Sequence, residues 1–391
     1  MSQIKFVKVA YVHDWLYANR DRREVDVAAD LGWNVTVVKP DTGKDDEPDR
    51  YKLLKFTTRP HKHLPNKLNQ LCAGIRWAKE IAKLEPDIIS GHNLIGMYIA
   101  MLSNKKRKDK KKARLVYDAH EYLMGQLIRS NALKRKFNGA IEKYVIKHSD
   151  LPMFVNDSIC DAVKKDYSLS ERPLCVRNLP YLAPEIPSDV KAAARKELED
   201  LFEDKGEKFI VMFHGQFRSG CSMEKLVKAA EATPSMYLVF LGYATNQEYY
   251  DNLVKSSPAH ARIAIHGAVP QKELWKYIAA ADVEAVIIEN KNASYYYSLP
   301  NKLIESVQAL TPVIGSDYPE IKAIIEKYNV GITCKPEEQV SINKAIEYMI
   351  ANRDFITKCR INCASAKTEL CWENERKTLS DAFSRLEKSI G

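Results

Sequence analysis

No apolar run in this chain is long enough to cross a bilayer: stretches such as Phe209 to Phe213 fall far short of the ~18 residues of a spanning helix. The first residues, Met1 to Trp15, lack the apolar core of a signal peptide. They alternate apolar side chains with Lys5, Lys8, His13 and Asp14, which reads as a first strand, so export is not expected and a cytoplasmic protein is. There is no Cys-x-x-Cys and no Cys/His pairing of the zinc type. The eight cysteines (72, 160, 175, 221, 334, 359, 363 and 371) are scattered, which points to reduced thiols. No short-period repeat is present, which excludes a solenoid. With 45% hydrophobic and 28% charged residues the composition is that of a folded globular protein, not of a disordered, collagenous or coiled-coil chain. Its 391 residues predict two or three domains.

What the chain does have is basic charge. Sixty Lys and Arg against 51 Asp and Glu give a net +9, which favours anionic partners. Much of it sits in Lys105 to Arg114, KKRKDKKKAR, with eight basic residues and one Asp directly after the apolar stretch Leu94 to Leu102. Such a block is either a solvated loop between helix and strand or a patch for an anionic membrane surface, at about 1 kcal/mol per Lys or Arg. No aromatic residues interleave it to stack bases, so nucleic acid is not an expected partner.

Short β-branched or aromatic runs alternate with longer amphipathic stretches throughout, the pattern of βα units and a parallel sheet. The fold class is α/β. Strands are expected at Lys8 to Val12, Asn34 to Val38, Ile88 to Ser90 and Arg114 to Asp118, with helices near Asn66 to Leu84, Asn93 to Ser103 and Glu121 to His148. The second half repeats the pattern, with strands at Phe209 to Phe213, Tyr237 to Leu241, Ile263 to His266, Val283 to Ile288 and Pro312 to Ile314. Between the halves, NLPYLAPEIPSD (Asn178 to Asp189) carries three prolines, which disfavour helix. Two doubly wound, Rossmann-like domains are expected, residues 1–180 and 181–370, each binding ligands at the carboxyl ends of its strands. Residues 371–391 are expected to form a last helix that crosses back to the first domain.

The most informative stretch is Tyr295 to Glu320, YYYSLPNKLIESVQALTPVIGSDYPE. Leu299 and Pro300 end an irregular loop, and Pro suits the first position of a helix through Asn301, Lys302 and Glu305. The open N–H groups of such a helix favour a phosphate, and Lys302 adds positive charge. Glu305 falls one turn inside, on the face of Asn301 and Lys302, where a carboxylate can accept both hydroxyls of a ribose. An exposed helical Glu is the plainer alternative.

This run resembles the donor-binding segment of retaining glycosyltransferases of GT-B architecture, glycosyltransferase family 4, whose members often read S-L-P-N-K-x-x-E, then P-V-I and P-E. Ser298 to Lys302, Glu305, Pro312 to Ile314, Pro319 and Glu320 carry the match. The resemblance extends to Asn19 to Val38, Glu85 to His92, Leu115 to Glu121, Cys175 to Pro180, Ile263 to Pro270 with Glu273 and Leu274, Gly331 to Pro336, and the tail from Cys371. It implies two Rossmann-like domains facing a central cleft, and transfer of a sugar from a nucleotide diphosphate sugar, of UDP or GDP type, to a glycan or lipid-linked acceptor. Cell-surface polysaccharide synthesis is the implied setting. It also implies retention by front-face attack, in which the leaving phosphate takes the acceptor's proton. Glu305 would bind the nucleotide ribose, Gly267, Ala268 and Val269 the base, and Leu299 to Lys302 the diphosphate. His120 would lie near the reacting sugar. A structural role for His120, and a simple strand-end turn at Gly267, explain those residues as well. No metal or other cofactor is implied, and the chain has no D-x-D-type carboxylate cluster.

Three positions depart from that pattern. Tyr297 stands where relatives place the first acid of an E-x7-E pair, leaving at most an altered sugar contact. Gln216 and Cys221 stand where relatives carry Arg and Lys or Arg to neutralise the diphosphate, and Arg218 is the candidate substitute in the same loop. Loss of one such donor typically costs about 100 to 1,000-fold in rate. The departures keep open a second reading, a non-catalytic GT-B subunit that stabilises an active partner.

Overall fold

Alternating βα units wind into two parallel sheets, and the chain divides at Asn178 and again at Asn374. The first unit is Met1–Asn178 with Glu375–Gly391, and the second is Leu179–Asn374. The computed structural model describes residues 3–11, 19–43, 50–59, 63, 65–109, 111–126, 132–204, 206–218, 220–244 and 246–390, with side chains for all but 66 and 67.

The first unit runs β1 (Lys5–Val9), α1 (Asn19–Asp30), β2 (Asn34–Pro40), β3 (Lys52–Phe56), α2 (Asn66–Lys83), β4 (Ile88–His92) and α3 (Asn93–Lys106). It continues with β5 (Arg114–Asp118), α4 (Leu123–Gln126), α5 (Ala132–Lys147), β6 (Leu151–Phe154), α6 (Asp157–Tyr167) and β7 (Leu174–Cys175). Its sheet has the order β3-β2-β1-β4-β5-β6-β7. The second unit runs α7 (Ser188–Glu199), β8 (Phe209–Phe217), α8 (Met223–Ala232), β9 (Met236–Ala244), α9 (Gln247–Lys255), β10 (Ile263–Ile265) and α10 (Gln271–Ala280). Then follow β11 (Val283–Val286), α11 (Ala293–Tyr296), α12 (Asn301–Gln308), β12 (Val313–Ser316), α13 (Pro319–Tyr328), β13 (Gly331–Cys334), α14 (Gln339–Ala351) and α15 (Arg353–Glu369). Its sheet has the order β10-β9-β8-β11-β12-β13. The last helix, α16 (Trp372–Lys388), starts in the second unit, and its residues from Glu375 belong to the first, where Phe383 meets Phe6 and Trp33.

Both orders reverse once, between β1 and β4 and between β8 and β11. In open α/β sheets the carboxyl ends at such a reversal are where ligands bind, because the flanking helices leave in opposite directions. Gly91 lies at the first reversal: a Cβ there would stand 2.5 Å from the backbone of Met97, so only Gly lets α3 start so close to the strand ends.

Two expectations need correction. The first strand is Lys5–Val9, not Lys8 to Val12, and Val12 lies outside the described residues. Lys8 in this strand is fully buried. The single helix expected over Glu121 to His148 is α4 and α5, with residues 127–131 outside those described. Strands β3, β6, β7 and β13 had no clear signal, being short or interrupted by Lys and Pro.

Gly242, in β9, has φ +155°, and a Cβ there would fall 1.9 Å from the Gly215 carbonyl oxygen. Gly242→Ala is therefore expected to lower stability by about 3 kcal/mol. Gly32→Ala, at φ +80° in open space, should cost only the backbone contribution of about 1 kcal/mol. Urea unfolding of the two variants measures the difference, and equal midpoints would refute the close approach.

Candidate active site

A buried charge cluster occupies the reversal of the second sheet. His214, near the end of β8, is almost wholly enclosed. Its Nδ1 and backbone N–H lie 3.0 and 2.9 Å from Oε1 of Glu284 on β11, and its Nε2 lies 2.9 Å from Oε2 of Glu305 on α12. An ionised carboxylate only accepts, and a neutral imidazole has one N–H, so both ring contacts require the protonated ring. Burial alone would favour the neutral ring, but Glu284 and Glu305 reverse that and raise the His214 pKa to about 9. Glu305 is thereby half-buried and fixed, not the freely exposed helical Glu of the plainer alternative.

Helix α12 opens after Pro300, whose extended backbone (φ −72°, ψ 137°) ends the loop and whose side chain makes no capping bond. Lys302 lies in that first turn, with Nζ 3.3 Å from the centre of the Phe213 ring. Burial lowers its pKa to about 8. Asn301 is exposed and Leu299 half-buried at the same opening. Tyr297 ends α11, its ring 5.1 Å from that of Tyr296, which in turn packs on Tyr318.

The loop after β8 carries Arg218, exposed and 5.9 Å from the Tyr295 ring. Cys221 is buried and Gln216 half-buried. Lys291 comes to the same loop from the segment after β11: a Cβ at Gly220 would meet its Cε at 2.8 Å, and the Glu289 N–H donates to the Gly220 carbonyl at 3.0 Å. Positive charge thus reaches this loop from outside it. Gly267, at φ +82°, turns the chain after β10, and its carbonyl accepts the Gly242 N–H at 3.1 Å. Ala268 is exposed there, and Val269 packs on the core. All these groups share the carboxyl edge of one sheet.

The first unit also buries charge at its reversal. The Lys8 ammonium is 2.9 Å from Asp21 and from Asp118, and it also bonds Glu24. Burial disfavours this ammonium, yet Asp118, Glu24 and Asp21 raise its pKa overall. Arg20 Nε donates to Asp118 at 2.9 Å, and Nη1 to the Val176 carbonyl at 2.5 Å. Burial opposes ionisation of Asp118 too, but Arg20 and Lys8 hold its pKa well below the usual range. The same burial pushes Glu24 up to about 7. Two histidines hang from this network. His92 Nδ1 is 3.0 Å from Asp21, and His120 Nε2 is 2.9 Å from Asp118, with the rings 4.0 Å apart. Burial lowers the His120 pKa despite Asp118, so its neutral ring donates through Nε2 and keeps Nδ1 as an acceptor. Beside them is a cavity of about 210 Å³, lined by Tyr11, His92, Ile95, Glu121 and Leu123 among others.

Among the described residues, Asp21, His92 and His120, and also Asp21, Glu24 and Asp118, bring metal-ligand atoms within 4.8 Å of one another. The Lys8 ammonium already fills the space between the carboxylates, so a metal would have to displace it. Sequence patterns did not single out His214, Glu284, Lys291 or Lys8. Only a histidine inside an apolar strand (FIVMFHGQF) and a lysine inside another (KFVKV) hinted at buried charge.

This is the doubly wound, two-unit architecture of GT-B proteins. Residues 195–366 match the family model described as Glycosyl transferases group 1, and residues 25–178 match Glycosyltransferase Family 4. The chain belongs to the GT-B glycosyltransferases of family 4. No curated protein sequence matches it. Among solved structures it is similar to sucrose-phosphate synthase from Thermosynechococcus elongatus, with TM-score 0.78 and 16% identity over 98% of this chain and 100% of that one. HepE from Anabaena in complex with UDP gives TM-score 0.74 at 16% identity, covering 99% of this chain and 100% of that one. WaaG, a glycosyltransferase involved in lipopolysaccharide biosynthesis, gives 0.66 at 14%, covering 96% and 98%.

Two outcomes follow from the buried charges. Lys8→Met leaves three carboxylates buried without their ammonium and should cost about 3 to 5 kcal/mol in denaturant unfolding, so a loss under 1 kcal/mol would contradict the network. His214 is raised from 6.5 to about 9, so its contribution is complete below pH 6.5 and is lost as pH rises to 9. Lys302, lowered from 10.5 to about 8, runs the other way above pH 8. The stability difference between the native protein and His214→Gln is therefore expected to shrink from pH 6.5 to 9. A difference independent of pH over that range would mean that the ring is neutral.

Proposed function

We propose that this protein transfers a sugar from a nucleoside diphosphate sugar, of UDP or GDP type, to a hydroxyl of a glycan or lipid-linked glycan, with retention at the anomeric carbon. The setting is assembly of a cell-surface polysaccharide at the cytoplasmic face of a membrane. The observation that carries this reading is the N-terminus of α12, opened by a Pro300 that does not cap it, with Lys302 in its first turn and Glu305 fixed behind it by His214. HepE in complex with UDP and with UDP-glucose, and WaaG in lipopolysaccharide biosynthesis, support it by likeness of fold.

In this reading Glu305 accepts the ribose hydroxyls, and Gly267 to Val269 contact the base. The diphosphate lies on the N–H groups of Asn301 and Lys302, within reach of Arg218 and Lys291. Charge grows on that diphosphate as the glycosidic bond breaks, and fixed dipoles and cations lower the barrier because they are already oriented. Lys291 and Arg218 supply what Gln216 and Cys221 do not. The leaving phosphate takes the proton of the acceptor hydroxyl, so no side chain need act as a nucleophile. Charge from the helix, Lys302 and Lys291 leaves no part of this step that requires a metal. His120, a neutral ring held by Asp118, orients a sugar hydroxyl through its acceptor nitrogen. The cavity beside it, lined by Tyr11 and Leu123, is the acceptor's place in the first unit.

Calorimetric titration with UDP and GDP and their sugar conjugates tests the donor site. One nucleotide should bind in the micromolar range, with binding lost in Glu305→Ala and weakened as pH rises past about 8, where Lys302 gives up its proton. Absence of binding to all of them would leave the fold serving as a non-catalytic partner subunit.

A further inference from the structure

Helix α5 has two apolar faces, and its own unit uses only one. Gly139, Val145 and Ile146 are buried, together with Glu142, whose carboxylate accepts the Tyr117 and Tyr167 hydroxyls at 3.0 and 2.5 Å. Leu133, Phe137, Ile141 and Tyr144, spaced by four, four and three residues, lie within about 80° of one another at ~100° per residue and face away from that buried side. They are 75%, 66%, 38% and 50% exposed. The stripe does not stand alone. The helices α2, α3 and α5 each follow a strand that steps the same way across the sheet, so right-handed crossovers put all three on one side. α3 packs between α2 and α5 and adds exposed Ile95 and Tyr98, and Ile95 also lines the cavity beside His120. Single exposed apolar residues are ordinary, but a contiguous group on adjacent helices marks a docking surface.

The exposed charge on α5 itself is of one sign. Lys134, Arg135 and Lys136 are exposed around Leu133 and Phe137, and Lys147 is exposed at the far end. No acidic side chain is exposed on α3 or α5: α3 has none, and Glu142 is buried. The run Lys105 to Arg114, the most basic in the sequence, lacks this combination. Arg107 pairs with Asp109 at 2.6 Å, Arg114 pairs with Asp150 at 2.9 Å, and the run leads into β5 at the amino end of the strands. α5 instead begins after the carboxyl end of β5, on the His120 side.

We infer that the outer face of α5, extended by Ile95 and Tyr98 of α3, docks this protein on an anionic lipid bilayer. A bilayer offers what the face lacks, an apolar layer beneath a sheet of negative charge, and exposed aromatic rings settle at that boundary. A second copy of the chain fits less well, since a two-fold contact would bring two such basic groups, Lys134 to Lys136, into one interface. The inference does not depend on the donor reaction.

Cosedimentation of the full chain with vesicles tests it, using phosphatidylcholine alone and an equal mixture with phosphatidylglycerol. Binding should appear only with the anionic lipid and weaken as salt is raised. The double variant Phe137→Ser, Ile141→Ser should reduce partitioning about tenfold, and Lys134→Gln with Arg135→Gln and Lys136→Gln should remove the preference for anionic lipid. Replacing Lys108, Lys111 and Lys112 by Gln should change binding less than about twofold. All these side chains are exposed, so the variants should fold, and native-like circular dichroism and urea unfolding check that they do. No binding to anionic vesicles, or full binding by the Phe137, Ile141 double variant, overturns the proposal. So does a dimer by light scattering that this double variant dissolves, which would make the face an interface between copies.

Discussion

One buried ammonium organises the first unit. An unpaired charge taken out of water costs several kcal/mol, so the Lys8 position in β1 demands carboxylates from elsewhere in the sequence. Asp21 and Glu24 come from α1, and Asp118 comes from β5. Three carboxylates against one ammonium would overshoot, and the second cation is Arg20, which also reaches the chain leaving β7 at Val176. With Glu24 pushed up to about 7, one carboxyl of the three can hold a proton near neutral pH, and the set then balances. His92 and His120 are each attached to an acid that Lys8 already holds. Their place at the strand ends is therefore a consequence of Lys8 and not an independent feature.

The second unit meets the same constraint with the signs exchanged. A cation on the ring of His214 bridges two acids, and the acid on α12 is the one the helix N-terminus needs beside it. Glu284 lies wholly inside β11, so the position of Glu305 is set by a strand through an imidazolium and not by the mobility of its own side chain. In both units the buried network lies where the strand order reverses. That is where neighbouring helices diverge and leave a gap that apolar side chains do not fill.

The fold was largely legible because its signals are local: βα periodicity gave β2, β4, β5 and β8 to β12 within a few residues, and Pro300 marked the start of α12. The charge networks were not legible, because their members are far apart in sequence. His214 reads as the polar end of an apolar strand, and nothing local says that Glu284 and Glu305 are waiting 70 and 91 residues on. Lys8 was not legible for the same reason: nothing local in KFVKV says that Asp21, Glu24 and Asp118 surround its ammonium. The absence of charge at Gln216 and Cys221 was visible, but its counterweight was not, since Lys291 reaches Gly220 from beyond β11.

That substitution changes the physics of the site. Cations carried on exposed loop arginines keep their charge whatever binds. Here two of the cations at the α12 opening, Lys302 and His214, are buried, and opposing forces, burial on one side and carboxylates on the other, put their pKa values at about 8 and 9. An anion arriving at the helix N-terminus favours the protonated form of both, so it strengthens the positive field that receives it. The cost of keeping Lys302 charged inside the protein is present while the site is empty and is offset when the anion is in place. Under the proposed function, affinity for a diphosphate is then coupled to proton uptake, a coupling that follows from burying the cations and that solvent-exposed arginines would not show.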